Sequence, residues 1–136
     1  MIIQQYLKHD PWKMLIGCIL LNQTHNRQVW PIIDPFFKRF PTPESISENN
    51  FEEIRDLIRG AGFYNRRAKS IINFTKAWIE GFNDVSELPG IGKYAKDSYE
   101  IFINENTNVD VTDKVLTKYL NGEFINQENE DYVRSH

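Results

Sequence analysis

Apolar residues recur along almost the whole chain at the three- and four-residue spacing of an amphipathic helix. The predicted helices cover residues 2–7, 11–20, 26–40, 51–58, 66–79, 93–104 and 114–120. Residues 105–112 are the only connection expected to be extended, and Pro31 and Pro35 are expected to bend or break the third helix. The pattern predicts an all-α domain of roughly eight helices packed on one another.

Length and composition favour one domain covering residues 1–136. The 136 residues are 40% hydrophobic and 13% aromatic, which is enough for a single packed core. The 16 basic and 19 acidic residues give a net charge of -3, so any contact with nucleic acid has to be local rather than a general polycation effect. Basic residues cluster at 66–69 and 93–96, and acidic residues at 44–56 and 128–131.

Cysteine and histidine usage limits the possible cofactors. Cys18 is the single cysteine, which excludes a disulfide framework and a cysteine-built zinc or iron–sulfur site within one chain. His9, His25 and His136 lack metal-ligand spacing. Without a signal-peptide core or an apolar run of about 18 residues, the chain is expected to be a soluble intracellular protein with no membrane partner.

A Pro-Gly-x-Gly turn precedes a helical stretch in Leu88-Pro-Gly-Ile-Gly-Lys93. Such a turn leaves backbone N–H groups at the start of a helix unpaired and lets the chain approach a ligand closely, so it suits phosphate. The alternative is an ordinary turn that only starts a helix. Asp113 stands directly before the last predicted helix, where it supplies a reactive carboxylate, caps the helix, or does both.

Several further motifs stand in a fixed order around this turn. They are His9-Asp-Pro-Trp-Lys13, Leu21-Asn-Gln-Thr24, Gly62-Phe-Tyr64 with Arg67-Ala-Lys69, Gly90-Ile-Gly-Lys-Tyr94 with Asp97-Ser-Tyr99, and Asp113 with Leu116-Thr-Lys-Tyr119. With these motifs the chain resembles the helix-hairpin-helix DNA glycosylases, the endonuclease III-like superfamily. The resemblance covers residues 2–120 and is greatest to the catalytic domain of the methyl-CpG-binding thymine/uracil mismatch glycosylases.

The resemblance implies two helical subdomains around a DNA-binding cleft, with the hairpin at residues 85–96 as an anchor for double-stranded DNA. The residues implied to bind the DNA are Thr24, Arg67, Gly90, Gly92 and Lys93. Lys93 is expected to face phosphate rather than the pocket, because one helical residue rotates a side chain by about 100 degrees relative to Tyr94. The family also implies a monovalent cation, K⁺ or Na⁺, at the carbonyls of Leu88 and Ile91, and a member without an iron–sulfur cluster or other cofactor.

Asp113 and Tyr94 are the implied catalytic residues. Breaking an N-glycosidic bond develops positive charge on the sugar, which a carboxylate stabilises while it orients or deprotonates water or attacks the anomeric carbon. Asp110 is the rival carboxylate, but it matches no family motif. Bifunctional relatives carry a Schiff-base lysine at the position of Tyr94, and a phenol cannot form this intermediate. The sequence pattern alone is equally consistent with Tyr94 as a buried aromatic side chain.

Four residues are implied to contact the extruded nucleotide: Ile3, Gln4, Gln23 and Phe63. Gln4 aligns with the glutamine that recognises a flipped pyrimidine, and Gln5 is a close alternative. Gln23 and Phe63 are the implied plug and wedge that fill the vacated space. Thymine-specific relatives carry arginine at the plug, whereas endonuclease III carries glutamine. Taken singly, Phe63 is more typical of a core and Gln23 of a solvated surface.

The resemblance therefore implies a monomeric, monofunctional glycosylase of base excision repair. It would flip out and excise uracil or thymine from G·U or G·T mismatches, leave an abasic site, and associate with DNA in the nucleus of a eukaryote or the cytoplasm or nucleoid of a bacterium. A non-catalytic DNA-binding module with the same hairpin is one alternative. An enzyme acting on a modified pyrimidine is another, favoured by Gln23 and by Val115, where the relative carries a lysine.

Overall fold

The computed structural model describes residues 1–123, and within them the chain is entirely helical, with no strand. The seven α-helices are α1 (Ile3–Leu7), α2 (Pro11–Leu21), α3 (Asn26–Arg39), α4 (Phe51–Leu57), α5 (Tyr64–Glu80), α6 (Lys93–Phe102) and α7 (Lys114–Leu120). Short 3-10 turns lie at Pro43–Ser45, Glu48–Asn50, Arg59–Ala61 and Val85–Glu87. The predicted all-α class is confirmed. The acidic tail at 128–131 and His136 lie outside the described residues.

Helix α2 is the centre of the fold. Its sequence is apolar on all sides, and every residue from Met14 to Leu21 is buried. Asp10 caps its N-terminus by accepting a hydrogen bond from the Lys13 amide at 3.3 Å, and Pro11 occupies the first turn, where its missing N–H costs nothing. A helix without a polar face has to be covered on every side. Helices α1, α3, α5 and α6 all pack against it.

The two prolines of α3 do not break the helix. The expectation that they would break it is therefore wrong. Pro31 and Pro35 are four residues apart and both lie on the exposed face of a continuous helix. The residues four positions before each proline, Arg27 and Pro31, whose carbonyls lose a helical hydrogen bond, are themselves exposed. The opposite face is buried against the core, and this burial keeps the segment helical.

Helix α1 crosses α2 at a glycine. A Cβ atom on Gly17 would lie 3.1 Å from Leu7 Cδ1 and 3.2 Å from Ile3 Cγ2, so a larger residue would require these side chains to shift by a few tenths of an ångström. Ile3 is fully buried in this contact. The role of Ile3 in binding substrate stays a prediction, and its side chain is not among the residues that line the cleft described below.

The predicted helix bounds hold with small shifts. Residues 105–112 form no helix or strand, and α6 ends at Phe102 rather than 104. Trp12 is buried in the core, and Trp30 and Trp78 pack against it. Within residues 1–123, no helix combines the length and apolar character that crossing a bilayer demands.

A buried hydrogen bond between α2 and α5 yields a test of stability. Trp12 donates its indole N–H to Thr75 Oγ1 at 3.1 Å, and both side chains are buried. Thr75→Val keeps the shape of the side chain but removes the acceptor, so we expect it to lower the free energy of unfolding by about 1–3 kcal/mol. Urea denaturation measures the effect. Thr75→Ser, which keeps the hydroxyl, is the control and should lose less. A valine variant as stable as the wild type would contradict this account.

Candidate nucleic-acid interface and active site

The hairpin forms where the Pro-Gly-x-Gly motif predicts it. Asp84 caps the preceding 3-10 turn through Ser86 N at 2.9 Å, and the Ile91 amide donates to the Leu88 carbonyl at 3.2 Å. Gly90 has a φ of 82°, a conformation that favours glycine. A Cβ atom at this position would point toward the side chain of Ile19. Gly92 is the N-cap of α6, and no side chain caps this helix. The first amides of α6 therefore remain available for a phosphate group.

The predicted cation ligands are the carbonyls of Leu88 and Ile91. The Leu88 carbonyl accepts one hydrogen bond from the Ile91 amide, and its second lone pair is the donor that a cation would use. The cation itself stays a prediction. Among residues 1–123, no three His, Cys, Asp or Glu side chains are grouped so that they could hold a metal ion.

A cleft of about 790 Å³ opens beside the hairpin. This volume lies in the usual range of small-ligand sites. Its wall comes from the loop after α2, the start of α6 and the segment entering α7. The lining residues are Leu21, Asn22, Gln23, Thr24, His25, Asn26, Lys93, Tyr94, Asp97, Thr112, Asp113 and Val115. The fold thus brings Tyr94 and Asp113, 19 positions apart in the sequence, into one cavity.

Asp113 is both a cap and a member of the cleft. Its Oδ2 accepts a hydrogen bond from the Leu116 amide at 2.9 Å, which fixes the rotation of the carboxylate. Within the described residues, no hydrogen bond engages Oδ1, so this oxygen is available for a ligand. Asp110 is exposed, is absent from the cleft wall, and contributes its backbone carbonyl to a contact with Lys93. The geometry favours Asp113 over Asp110.

Tyr94 is held from behind by Gln4. The Gln4 side chain is fully buried, and its Nε2 donates to the Tyr94 hydroxyl at 2.6 Å and to Ser98 Oγ at 3.2 Å. Its Oε1 is buried without a hydrogen-bond partner among the described residues. Gln5 instead accepts from the Ile2 amide at 3.1 Å, as part of the start of α1. Of the two glutamines, Gln4 is the one at the site.

The surroundings of Tyr94 keep its phenol neutral. Burial raises the pKa of Tyr94 well above its usual range, and the nearby Cys18 and Asp113 add to the rise, against the opposing hydrogen bond from Gln4. Burial and the charge of Asp113 also raise the pKa of the Cys18 thiol to about 12, although the hydrogen bond with Ser98 opposes the shift. Both groups are therefore protonated near neutral pH.

The side chain of Lys93 points into the cleft, although its sequence position next to Tyr94 predicts the opposite. Its side chain lines the cleft beside Tyr94, and its Nζ contacts Asp97 Oδ2 at 2.6 Å and donates to the Asp110 carbonyl at 2.7 Å. The prediction that Lys93 faces away from the pocket is wrong, because its flexible stem folds the ammonium back onto these two acceptors. Its contact with phosphate stays a prediction.

The predicted plug and wedge share an unusual backbone conformation. Gln23 has a φ of 60° and Phe63 a φ of 46°, in the left-handed region that side-chain-bearing residues seldom adopt. Both side chains are exposed, and Phe63 is 58% exposed although it is a large apolar residue. Such strain persists only where the surroundings impose it, and it concentrates at functional sites. Their insertion into DNA stays a prediction, with geometry in its favour.

Arg67 does not have the exposed position expected of a DNA-binding residue. It is 6% exposed, and its guanidinium donates to the backbone carbonyls of Asn22, Ala61 and Gly62. Burial, together with the charge of Arg66, lowers the pKa of Arg67. The prediction that Arg67 contacts DNA directly is not supported, because the donors of its side chain are used inside the protein. Thr24, by contrast, lines the cleft.

With the site described, its relatives can be named. The family model for HhH-GPD superfamily base excision DNA repair proteins matches residues 16–133 of this chain. The chain belongs to the HhH-GPD superfamily. A solved structure of a thermostable thymine-DNA glycosylase matches with a TM-score of 0.68 over 93% of this chain and 73% of that one, at 22% sequence identity. This match shows the fold and confirms the helix-hairpin-helix architecture.

Two curated relatives show which proteins this HhH-GPD protein is similar to in sequence. A methyl-CpG-binding domain protein 4-like protein of Arabidopsis thaliana is 35% identical over 120 residues, covering 87% of this chain and 27% of the relative. A thymine-DNA glycosylase of Aeropyrum pernix is 33% identical over 93 residues, covering 62% of this chain and 42% of the relative. The chain therefore spans less than half the length of these relatives. The resemblance inferred from the sequence motifs is confirmed.

Sequence reasoning missed several residues of the HhH-GPD site. Asp97 and Ser98 are buried beside it and bind Lys93 and Gln4, respectively. The four-residue spacing from Lys93 to Asp97 was a usable signal for the ion pair, because such side chains are neighbours on a helix. The position of Cys18 near Tyr94 could not be predicted. Helix α2 is apolar on all sides, so its sequence does not indicate which of its residues face Tyr94.

The raised pKa of Tyr94 yields a testable pH dependence. A group whose pKa is higher in the folded state stabilises the fold below its unfolded pKa, and this contribution is lost as the pH rises above that value. An unfolded tyrosine ionises near about pH 10. Above that pH, we expect the wild type to lose about 1.4 kcal/mol of unfolding free energy per pH unit relative to Tyr94→Phe. Urea unfolding of both proteins between about pH 9 and 11 measures this. Parallel pH profiles would contradict the buried, neutral phenol.

Proposed function

We propose that this HhH-GPD protein is a monofunctional DNA glycosylase that excises uracil or thymine from G·U and G·T mismatches and leaves an abasic site. The observation that carries the proposal is the joint position of the Asp113 carboxylate and the Tyr94 hydroxyl in the wall of one cleft. The names of the curated relatives, which include thymine- and thymine/uracil-DNA glycosylases, support this choice of substrate.

The partner is double-stranded DNA. The hairpin offers the uncapped amides at the start of α6 to phosphate groups. Lys93, whose ammonium contacts Asp97 and the Asp110 carbonyl, adds a basic residue beside these amides. With a net charge of -3, binding depends on these local contacts rather than on bulk charge. A base inside a duplex is out of reach of any cleft, so the target nucleotide has to be extruded. Gln23 and Phe63, exposed on strained turns, are suited to fill the vacated stack.

Asp113 performs the central chemical role. As the bond from the sugar to the base breaks, positive charge grows on the sugar, and a carboxylate in the same cavity stabilises it. The Oδ2 atom is held by the Leu116 amide, and Oδ1 is free to orient or deprotonate the attacking water. The bonding electrons leave with the base, and water adds a hydroxyl to the anomeric carbon. The proton lost by this water passes to the Asp113 carboxylate and finally neutralises the base anion. The strand itself is not cut.

Gln4 and Tyr94 are the groups that we expect to determine which base the enzyme recognises. Oε1 of Gln4 is a buried acceptor without a partner among residues 1–123, a situation that calls for a donor. Uracil and thymine carry an N3–H donor on the Watson–Crick edge, whereas cytosine carries an acceptor at N3. Gln4 Oε1 is buried and Gln4 is not part of the cleft wall, so a base reaches this acceptor only if the pocket opens beside Tyr94 on binding. In that arrangement the acceptor favours the first two bases.

The carboxylate assignment can be tested with paired variants. We expect Asp113→Asn to lower single-turnover base release from G·U and G·T duplexes by at least about a hundredfold, because the amide cannot stabilise the positive sugar. Asp110→Asn, the matched control, should retain the wild-type rate, since its side chain lies outside the cleft wall. Gel analysis after alkaline cleavage of abasic sites gives the rate. Undiminished release by Asp113→Asn would refute the mechanism, and binding without release by the wild type would indicate a non-catalytic DNA-binding module.

The absence of lyase chemistry is a separate prediction. Tyr94 cannot form a Schiff base, and the Lys93 ammonium is held by Asp97 and the Asp110 carbonyl. We expect no covalent enzyme–DNA adduct with borohydride, and no strand cleavage beyond that of abasic DNA alone. Lys93→Gln identifies the source of any adduct. An adduct formed by the wild type and lost in this variant would make Lys93 a nucleophile and the enzyme bifunctional.

A modified pyrimidine is the second candidate substrate. Val115 lines the cleft, so one part of the wall is apolar and suits a substituent at the pyrimidine 5-position. Base release from a panel of 5-substituted uracils, each paired with guanine, separates this candidate from unmodified uracil and thymine.

A further inference from the structure

We propose that Arg67 is a positioning residue that locks the plug loop and the wedge loop into one rigid unit, so that Gln23 and Phe63 enter DNA together. This inference rests on the proposed function. Three carbonyls accept its guanidinium N–H groups. Nη1 donates to Ala61 O at 2.7 Å and to Gly62 O at 3.5 Å, and Nη2 donates to Asn22 O across 45 positions of sequence.

The position of these carbonyls is the first argument. Asn22 and Gly62 directly precede Gln23 and Phe63, the two residues with φ values of 60° and 46°. A carbonyl oxygen lies in the same peptide plane as the next residue's N–H group. A hydrogen bond to that oxygen therefore fixes the orientation of the peptide group directly before the strained residue. At the plug, Arg67 holds the carbonyl directly before Gln23. At the wedge, its shorter bond goes to Ala61 O at 2.7 Å, one residue before the Gly62 carbonyl, which lies at 3.5 Å.

The second argument is the relation of Arg67 to the wedge itself. The Phe63 side chain is exposed, yet the Arg67 guanidinium carbon lies 5.5 Å from its ring centroid, and that of Arg66 lies 4.9 Å away. These distances are typical of cation–π contacts. The two arginines thus contact the ring of Phe63 although most of the side chain is exposed to solvent. These contacts hold the orientation of the ring before it meets DNA.

The third argument concerns residue type. Arginine has a planar fork of five donors, so one side chain can serve acceptors in two different loops. Lysine has a compact ammonium that cannot span both sets of carbonyls in the same way. The Thr24 hydroxyl lies 3.4 Å from both Asn22 O and Ala61 O, so it adds a weaker link between the same loops. Arg67 is the principal connection.

A purely structural arginine and a positioning arginine differ in one consequence. If Arg67 only stabilises the fold, its loss reduces the active fraction and slows every substrate equally. If it sets the plug and wedge, its loss matters where a paired base has to be displaced and the gap filled, and matters little where the target base is already unpaired. The ratio of two rates from one preparation separates these cases, because an unfolded fraction cancels.

The experiment compares wild type, Arg67→Lys and Arg67→Met in single turnover with enzyme in excess. One duplex carries uracil opposite guanine, and the other carries uracil opposite an abasic analogue. For Arg67→Met we expect the rate on the G·U duplex to fall at least about tenfold more than the rate on the unpaired uracil. Arg67→Lys should lie between Arg67→Met and the wild type. Arg39→Met, which removes an exposed arginine paired with Glu53, is the control and should leave the ratio unchanged.

Equal loss on both duplexes, or no loss on either, overturns the proposal. A second readout does not depend on catalysis: amide hydrogen exchange in the free protein should accelerate at residues 22–25 and 61–64 in Arg67→Met. It should stay unchanged in helix α6, which does not pack extensively against α5 or the Arg59–Ala61 turn. Unchanged exchange in these loops also overturns it. Absence of uracil release by the wild type defeats the proposed function instead, and the exchange experiment then still decides whether Arg67 holds the loops.

Discussion

The structure depends on the burial of one helix that is apolar on all sides. Helix α2 has no polar face to give to water, so the chain has to surround it, and α1, α3, α5 and α6 do so. This constraint places the functional groups. Gln4 arrives on α1 and Tyr94 on α6, both packed on α2, while the loop that carries Gln23 is the continuation of α2 itself. The site is assembled at the edge of a core that is fixed for reasons of packing.

Polar groups are buried mainly where the site is. Within the described part of the chain, the buried polar side chains are Gln4, Arg67, Thr75, Asp97 and Ser98. All but Thr75 lie at the cleft or hold its loops through hydrogen bonds. Burying a polar group costs free energy unless its partners are present, so a purely structural core does not collect them in one place. These buried polar groups share one edge of the molecule with Gln23 and Phe63, two of the three non-glycine residues that have a positive φ in the described part of the chain.

The sequence was a good guide to helices and a poorer one to the direction of individual side chains. Helical spacing located every α-helix to within a few residues, since the burial of an apolar face leaves a regular trace in the sequence. It misjudged Pro31 and Pro35, where a buried face outweighed the lost hydrogen bonds. It also misjudged Lys93 and Arg67, because long side chains choose among acceptors that only the folded chain supplies.

The sequence by itself determined the all-α class, the hairpin turn and the family, because local periodicity, glycine conformation and ordered motifs are written in neighbouring residues. Through the family resemblance, it also singled out Asp113 and Tyr94 as the catalytic residues. The tertiary structure alone decided that these two side chains share a cleft, that Gln4 lies directly behind Tyr94, and that Arg67 joins two loops. The physical reason is distance along the chain. Contacts between residues tens of positions apart depend on how helices pack around α2, and no local pattern encodes that arrangement.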